Sequence, residues 1–262
     1  MELAFFEKVI AQVKSYTNEV ACHVVGDPLT LLNLTAYLDI IQKHKMRAVL
    51  TTSGYFMKKH THEDLFHPAI KQINISLNAF NKNDTRITFE QYMRPILDLC
   101  HAKVAFRQES FINLRMWNLD EVMSEKEFNQ KLFTLLNEEF GLSLDLSTLN
   151  PKEKKSIRLD HKVLLHFDYY FEWPSLKNPL YGHGGCQGLN SHVGILANGD
   201  VVPCCLDSEA VIRLGNLKES SLREILEGER ASMMREGFEQ DICTEELCLR
   251  CSYKDRFNKE DN

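Results

Sequence analysis

Six of the eight cysteines of this 262-residue chain fall between Cys186 and Cys251. They come as Cys186, the adjacent pair Cys204 and Cys205, and then Cys243, Cys248 and Cys251. Cys248 and Cys251 form a C-x-x-C, a spacing at which two thiolates on one tight turn reach a single metal centre. Thiolates at this density bind soft metals, so an iron–sulfur cluster or a structural zinc is expected, and spacing does not choose between them. A disulfide set is the third option. It is disfavoured because the N-terminus shows no signal-peptide pattern and the chain reads as cytoplasmic, where disulfides rarely persist.

Particular elements are needed to bring these thiols together. Asn198-Gly199-Asp200 is a turn signal between apolar runs at 193–197 and 201–202. It predicts a hairpin that carries Cys204 back towards Cys186. Residues 222–236 read as one helix, with Ser220 or Ser221 as its cap and Gly237 just past its end. That helix returns the chain to the C-x-x-C. Residues 172–185, with Pro174, Pro179 and three glycines, read as a linker into this region.

A second set of candidate residues lies in the N-terminal part. Residues 3–13 carry Leu3, Phe6, Val9, Ile10 and Val13 at helical spacing. Strands are expected at 19–25, 46–52, 73–77, 111–117 and 162–167. Helices are expected at 31–44, at 58–66, at 89–107 with Pro95 disturbing it, and at 124–140, the last opened by the capping box Ser124-x-x-Glu127. Residues 150–155 read as a polar loop. Strand–helix alternation predicts a parallel sheet with right-handed crossovers, whose sites lie beyond the C-terminal strand ends. The polar residues there are Gly26 and Asp27, Thr52 and Ser53, Ser76 and Asn78, and Asn113 and Arg115. A Gly-Asp-Pro after a strand is more often a plain turn, and Ser or Asn at a strand end is mostly a cap. An arginine inside an apolar strand must find a partner or a ligand. Cys22, His23 and Cys100 read as structural, although one of the adjacent Cys22 and His23 can face a site. Trp117 and Trp173 read as packing residues.

Apolar residues make up 44% of the chain, enough for a sizeable core. A net charge of −6 and a pI near 5.9 argue against a general polyanion-binding surface, so nucleic acid is not an expected partner. No apolar run approaches the roughly 18 residues of a membrane span.

Cys186, Gly199-x-x-x-x-Cys204, Gly215-Asn216-Leu217, Ser221-Leu222-Arg223-Glu224-Ile225 and Cys248-x-x-Cys251 together resemble the SPASM-type C-terminal domain of radical S-adenosylmethionine enzymes. The resemblance covers residue 186 onward. It implies a ferredoxin-like clip holding an auxiliary 4Fe-4S cluster on Cys186, Cys204, Cys248 and Cys251, with Cys205 and Cys243 as extra thiols. The N-terminal part is similar to the partial (β/α)6 barrel of the same enzymes. Val24-Val25-Gly26-Asp27-Pro28-Leu29 resembles the G-E-P-type motif that holds the methionyl amino group of S-adenosylmethionine, with Asp in place of Glu. Thr52-Ser53-Gly54 resembles the T-N-G turn after the next strand. Ser76 and Asn78 match the polar pair near the ribose, and Arg115 is placed like the basic residue that meets the cofactor carboxylate.

The resemblance implies an α/β fold: a partial (β/α)6 TIM-like barrel lacking its first strand over 1–171, a linker at 172–185 and a SPASM-like domain at 186–262. It also implies reductive cleavage of S-adenosylmethionine to a deoxyadenosyl radical, which abstracts hydrogen from a peptide or other small substrate. A reductant such as flavodoxin or ferredoxin is the implied partner. The family's C-x-x-x-C-x-x-C loop, which binds the cluster that cleaves the cofactor, does not occur in this sequence. With the first strand lacking as well, the chain reads as shortened at its N-terminus and inactive as written. The alternative is a non-catalytic metal-binding interaction protein that holds zinc or a single cluster.

Overall fold

The computed structural model describes residues 1–81, 83–117, 119, 125–150 and 153–257. Short runs of apolar residues at every second position make a six-stranded sheet. Its strands are β1 (Glu19–Cys22), β2 (Arg47–Thr52), β3 (Ile70–Ser76), β4 (Phe111–Met116), β5 (Ser156–Asp160) and β6 (Val163–Phe167). The spatial order is β1-β2-β3-β4-β6-β5. All neighbours run parallel except β5, which is antiparallel to β6. One level of the register reads Leu50, Ile73, Ile112 and Val163, and all four side chains are fully buried. Two residues on, Ile75, Leu114 and Leu165 repeat that burial on the same face, as the period of a strand requires.

The crossovers carry α2 (Leu34–Lys43), α3 (His62–Leu65), α4 (Phe89–Ala105) and α5 (Lys126–Phe140), after an initial α1 (Leu3–Val13). The core holds Leu38 and Ile41 of α2, Ile96, Leu97 and Cys100 of α4, and Leu132, Phe133 and Leu136 of α5. α4 runs through Pro95 and is opened by a capping box of Thr88 with Gln91. Two expected helices are shorter in the structure. Residues 28–30 form a 3-10 turn capped by Asp27, so α2 starts only at Leu34. The stretch at 58–66 divides into a 3-10 turn at Met57–Lys59 and α3, which has its own Thr61–Asp64 capping box. The expected Ser124 capping box lies outside the described residues. The sequence reading also missed β5. Only Ile157 and Leu159 are apolar there, and Lys162, at φ 56°, turns the chain directly into β6.

The C-terminal part contains β7 (Gly194–Ile195), β8 (Asp200–Val202) and β9 (Gly215–Asn216) in one antiparallel sheet. The expected hairpin turn is present, with Gly199 at φ +100°. The single helix expected at 222–236 is instead α6 (Leu222–Leu226) and α7 (Glu229–Glu239), broken at Gly228. Ser221 and Glu224 cap α6 reciprocally. Gly237 lies inside α7 rather than after it. A Cβ there would stand 2.7 Å from the Ile242 carbonyl oxygen, where the chain folds back over the helix end. α8 (Glu246–Leu249) and a 3-10 turn at Ser252–Phe257 follow.

The chain divides into two compact units, one of residues 17–23 and 27–170, the other of 1–16, 24–26 and 171–262. Within the second unit, Gln12 of α1 accepts the Leu222 N–H at 2.7 Å through Oε1. Gly199 of the same unit lies against Phe5, whose ring would stand 2.9 Å from a Cβ there. Among the described residues no helix is long and apolar enough to cross a membrane.

Candidate cofactor and metal sites

The strand ends of the sheet are joined by a chain of polar contacts. Asp27 accepts the Leu29 N–H at 3.0 Å through Oδ1. Through Oδ2 it accepts Thr52 Oγ1 at 2.9 Å, Ser53 N at 2.7 Å and Ser53 Oγ at 2.6 Å. The carboxylate therefore ties the turn after β1 to the end of β2. Tyr92 of α4 donates its hydroxyl to the Ser53 carbonyl at 2.6 Å and lies 3.5 Å from the Ser76 carbonyl. Burial, with Tyr55 and Asp27 nearby, pushes this phenol well above its ordinary pKa, so it stays a donor. Gly54 sits directly beside it at φ +87°, where a Cβ would meet Ile96 at 2.9 Å and the Tyr92 oxygen at 3.0 Å. Asn78 accepts the Trp117 N–H at 2.7 Å, and the Arg115 guanidinium lies 4.3 Å from the Trp117 ring centre. Arg115 pairs in register with Ser76 on one side and His166 on the other. Asp27, Ser53, Ser76, Asn78 and Arg115 are thus brought together. Gly26 is exposed in the turn at φ +94°, and Pro28 opens the 3-10 turn that follows.

Replacing Asp27 by alanine strips the partner from four donors at once. The expected loss is about 2–3 kcal/mol, the scale of hydrogen bonds to a charged acceptor. Urea unfolding checks this, and an unchanged midpoint would contradict the clamp.

Below these ends the strands carry a second polar layer, of which sequence reading picked out Asn113. Thr51, Asn74 and Asn113 share one register level. Asn113 Nδ2 donates to Asn74 Oδ1 at 3.1 Å, Asn74 Nδ2 to Thr51 Oγ1 at 3.2 Å, and Gln72 Nε2 to Asn74 Oδ1 at 2.7 Å. The amide orientations are thereby set, and Asn113 Oδ1 is left buried with no hydrogen-bond partner. His23 Nδ1 is in the same position. Burial and then the charge of Arg115 lower the pKa of both His23 and His166, so both imidazoles are neutral at pH 7. Buried acceptors without partners are rare, and they mark places for a ligand or an ordered water. The available signal was a polar residue at every second position, as in Gln72, Asn74 and Ser76 or Asn113 and Arg115.

In the C-terminal unit all of the cysteines are free thiols. The Gly188 N–H donates to Cys186 Sγ at 3.4 Å. Backbone N–H groups of Leu206 and Asp207 reach the Cys204 sulfur, and those of Tyr253 and Lys254 reach Cys251. Burial pushes the Cys204 thiol up to about 12 against these hydrogen bonds. Cys248 is raised furthest, first by burial and then by Cys204, Cys243, Cys186 and Cys251. That places it within electrostatic reach of four other sulfurs. Metal binding here must expel protons.

Cys243 differs. Its Sγ donates to the Gly184 carbonyl at 3.5 Å, and the residue is 3% exposed in an apolar cluster with Ile212, Met234, Phe238 and Leu247. Cys205 is half-buried and is raised by burial first. Among the described residues no group of three or more His, Cys, Asp or Glu stands close enough to hold a metal ion. A cubane spreads its four thiolates wider than the ligands of one zinc, which sit about 2.3 Å from the ion. A sulfur-only donor set with N–H groups aimed at the sulfurs suits such a cluster.

Residues 186–252 match the family model of SPASM, an iron–sulfur cluster-binding domain. No curated protein matches the chain in sequence. Solved structures do match it in fold. BtrN, solved in complex with AdoMet and 2-DOIA, superposes with a TM-score of 0.58 at 15% identity, over 96% of this chain and 80% of BtrN. SuiB of Streptococcus suis, bound to S-adenosylmethionine, gives 0.56 at 16% identity, over 100% of this chain and 68% of SuiB. SuiB has also been solved bound to the precursor peptide SuiA. Native anSMEcpe with bound AdoMet and Cp18Cys peptide gives 0.52 at 14% identity, over 97% of this chain and 79% of that one. The chain has the radical S-adenosylmethionine/SPASM fold, as its motifs implied. The SPASM match takes in Cys186, Cys204, Cys248 and Cys251.

Proposed function

We propose that this chain is a radical S-adenosylmethionine/SPASM-type protein whose SPASM domain holds a 4Fe-4S cluster on Cys186, Cys204, Cys248 and Cys251. The observation that carries the reading is the SPASM match over residues 186–252, which takes in all four thiols, together with backbone N–H groups directed at the sulfurs of Cys186, Cys204 and Cys251. Cys243 is left out because its sulfur donates to a carbonyl. Cys205 is left out because the N–H groups of Leu206 and Asp207 reach Cys204, whereas Cys205 has only its own backbone N–H. When bound, such a cluster supplies one-electron chemistry.

S-adenosylmethionine is the proposed small-molecule partner, bound at the strand ends by Gly26, Asp27, Pro28, Ser53, Ser76, Asn78 and Arg115. Arg115, stacked on Trp117, meets the carboxylate of the methionyl group. The Asp27 carboxylate is occupied within the protein, so the backbone of the Gly26–Asp27 turn is the group offered to the methionyl ammonium. The polar layer beneath leaves Asn113 Oδ1 free to accept, which suits a substrate with N–H or O–H donors. A peptide or small polar molecule is that kind of substrate, and bound peptides in two proteins of the same fold support the reading. Flavodoxin or ferredoxin in the cytoplasm is the proposed electron source. The barrel is taken as 1–171, the linker as 172–185 and the SPASM domain as 186–262.

Titration calorimetry with S-adenosylmethionine tests the strand-end site. Arg115→Ala should weaken binding by about tenfold or more, the loss of one charge-assisted hydrogen bond. Binding that is tight and survives Arg115→Ala contradicts the assignment.

A further inference from the structure

Lys254 follows the C-x-x-C within the 3-10 turn at Ser252–Phe257, and it is 2% exposed. Its Nζ donates to the Cys251 carbonyl at 2.8 Å. Asp255 Oδ1 stands 3.7 Å from Nζ, but that side chain is 52% exposed. The Tyr181 ring centre is 5.7 Å away. An ammonium withdrawn from water needs an anion to offset its desolvation, and a solvated carboxylate offsets it weakly. Lys254 also acts electrostatically on both Cys243 and Cys251.

We propose that Lys254 is a positioning residue for the iron–sulfur cluster, its buried ammonium on the Cys251 carbonyl serving as counter-charge and holding the reduction potential up. The inference rests on the cluster assignment made above. A cubane with four thiolates is an anion and becomes more negative when one electron enters from the reductant. A fixed cation beside it therefore stabilises the reduced form more than the oxidised form. Net charge and local hydrogen bonding are established determinants of such potentials. Asp255, on the same turn, opposes Lys254 from solvent. No other charged group is paired with Lys254 Nζ among the described residues.

The experiment is a potentiometric titration of the reconstituted full chain, followed by the EPR signal of the reduced cluster. Lys254→Met keeps the aliphatic stem and removes the charge, Lys254→Arg keeps the charge, and Asp255→Asn removes the opposing one. The expected result is unchanged iron content, a more negative midpoint in Lys254→Met, a near-native midpoint in Lys254→Arg, and a small positive shift in Asp255→Asn. An unmoved midpoint in Lys254→Met overturns the proposal, as does an equal shift in Lys254→Arg. If Lys254→Met fails to take up iron, a native midpoint in Lys254→Arg with a positive shift in Asp255→Asn still supports it, and an unmoved Asp255→Asn overturns it. If the unaltered chain takes up no cluster, the parent reading falls, and this inference falls with it. A cluster whose potential ignores Lys254 removes this inference alone.

Discussion

Cys248→Ala should abolish the metal centre, while Cys243→Ala and Cys100→Ala should leave it in place. Burial raises the Cys248 thiol first, and Cys204, Cys243, Cys186 and Cys251 raise it further. Removing it leaves three ligands and opens one side of the centre to water. Cys251→Ala should behave alike, since that sulfur is held by the Tyr253 and Lys254 N–H groups. Cys243 also raises the Cys248 thiol, which makes it the informative control. It is 3% exposed and donates to a carbonyl, the behaviour of a protonated thiol packed among apolar side chains. Cys243→Ala should cost about 1 kcal/mol or so of stability through a small cavity and spare the iron. Cys100 lies in α4 with its thiol pushed up to about 12 by burial, far from any ligand role. Iron content and visible absorbance after anaerobic reconstitution decide the matter. Iron loss in Cys243→Ala as complete as in Cys248→Ala would overturn the ligand assignment.

Residues 1–262 alone should form no 5′-deoxyadenosine from S-adenosylmethionine with dithionite as reductant. Reductive cleavage requires an electron delivered directly to the sulfonium, from a centre with one position open to the cofactor's amino and carboxylate groups. A site closed by four protein thiolates offers no such position, as structural and catalytic metal sites differ in general. The cysteines outside the assigned set do not provide another. Cys22, which is half-buried, and Cys100, which is buried, are single thiols, raised to about 11 and about 12. Cys205 and Cys243 flank the same SPASM group, and the 262 residues contain no C-x-x-x-C-x-x-C. Deoxyadenosine measured by chromatography, at turnover comparable to an intact radical enzyme, contradicts this account. Binding of the cofactor without cleavage is the result it expects.

The parts legible in the sequence were those with local signatures. Parallel strands such as β2, β3 and β4 showed as apolar runs because one face is wholly buried. The Asn198-Gly199-Asp200 hairpin and the C-x-x-C showed because turn chemistry and ligand spacing are short-range. β5 was hidden by having only Ile157 and Leu159 to mark it. The break between α6 and α7 was hidden because helical periodicity continues across Gly228, and only the backbone there leaves the helix. The work of Asp27 could not be read locally, since its partner Ser53 lies 26 residues on. The motif placed Asp27 at the cofactor, and the structure shows its oxygens committed to Thr52 and Ser53 as well. Asn113 showed only as a strand-end residue, and His23 only as one of a pair that can face a site, for a related reason. A polar residue at every second position of a strand usually faces solvent, and only the assembled sheet shows these atoms buried and unpartnered.

The central claim is that the SPASM domain of this chain builds an iron–sulfur cluster from four of its own thiolates. Iron, acid-labile sulfide and zinc measured together on the anaerobically reconstituted, unaltered protein test it most directly. The account predicts about four irons and a matching amount of sulfide per chain, as a cubane requires, with little zinc. Stoichiometric zinc, with no sulfide and no visible absorbance, would contradict it.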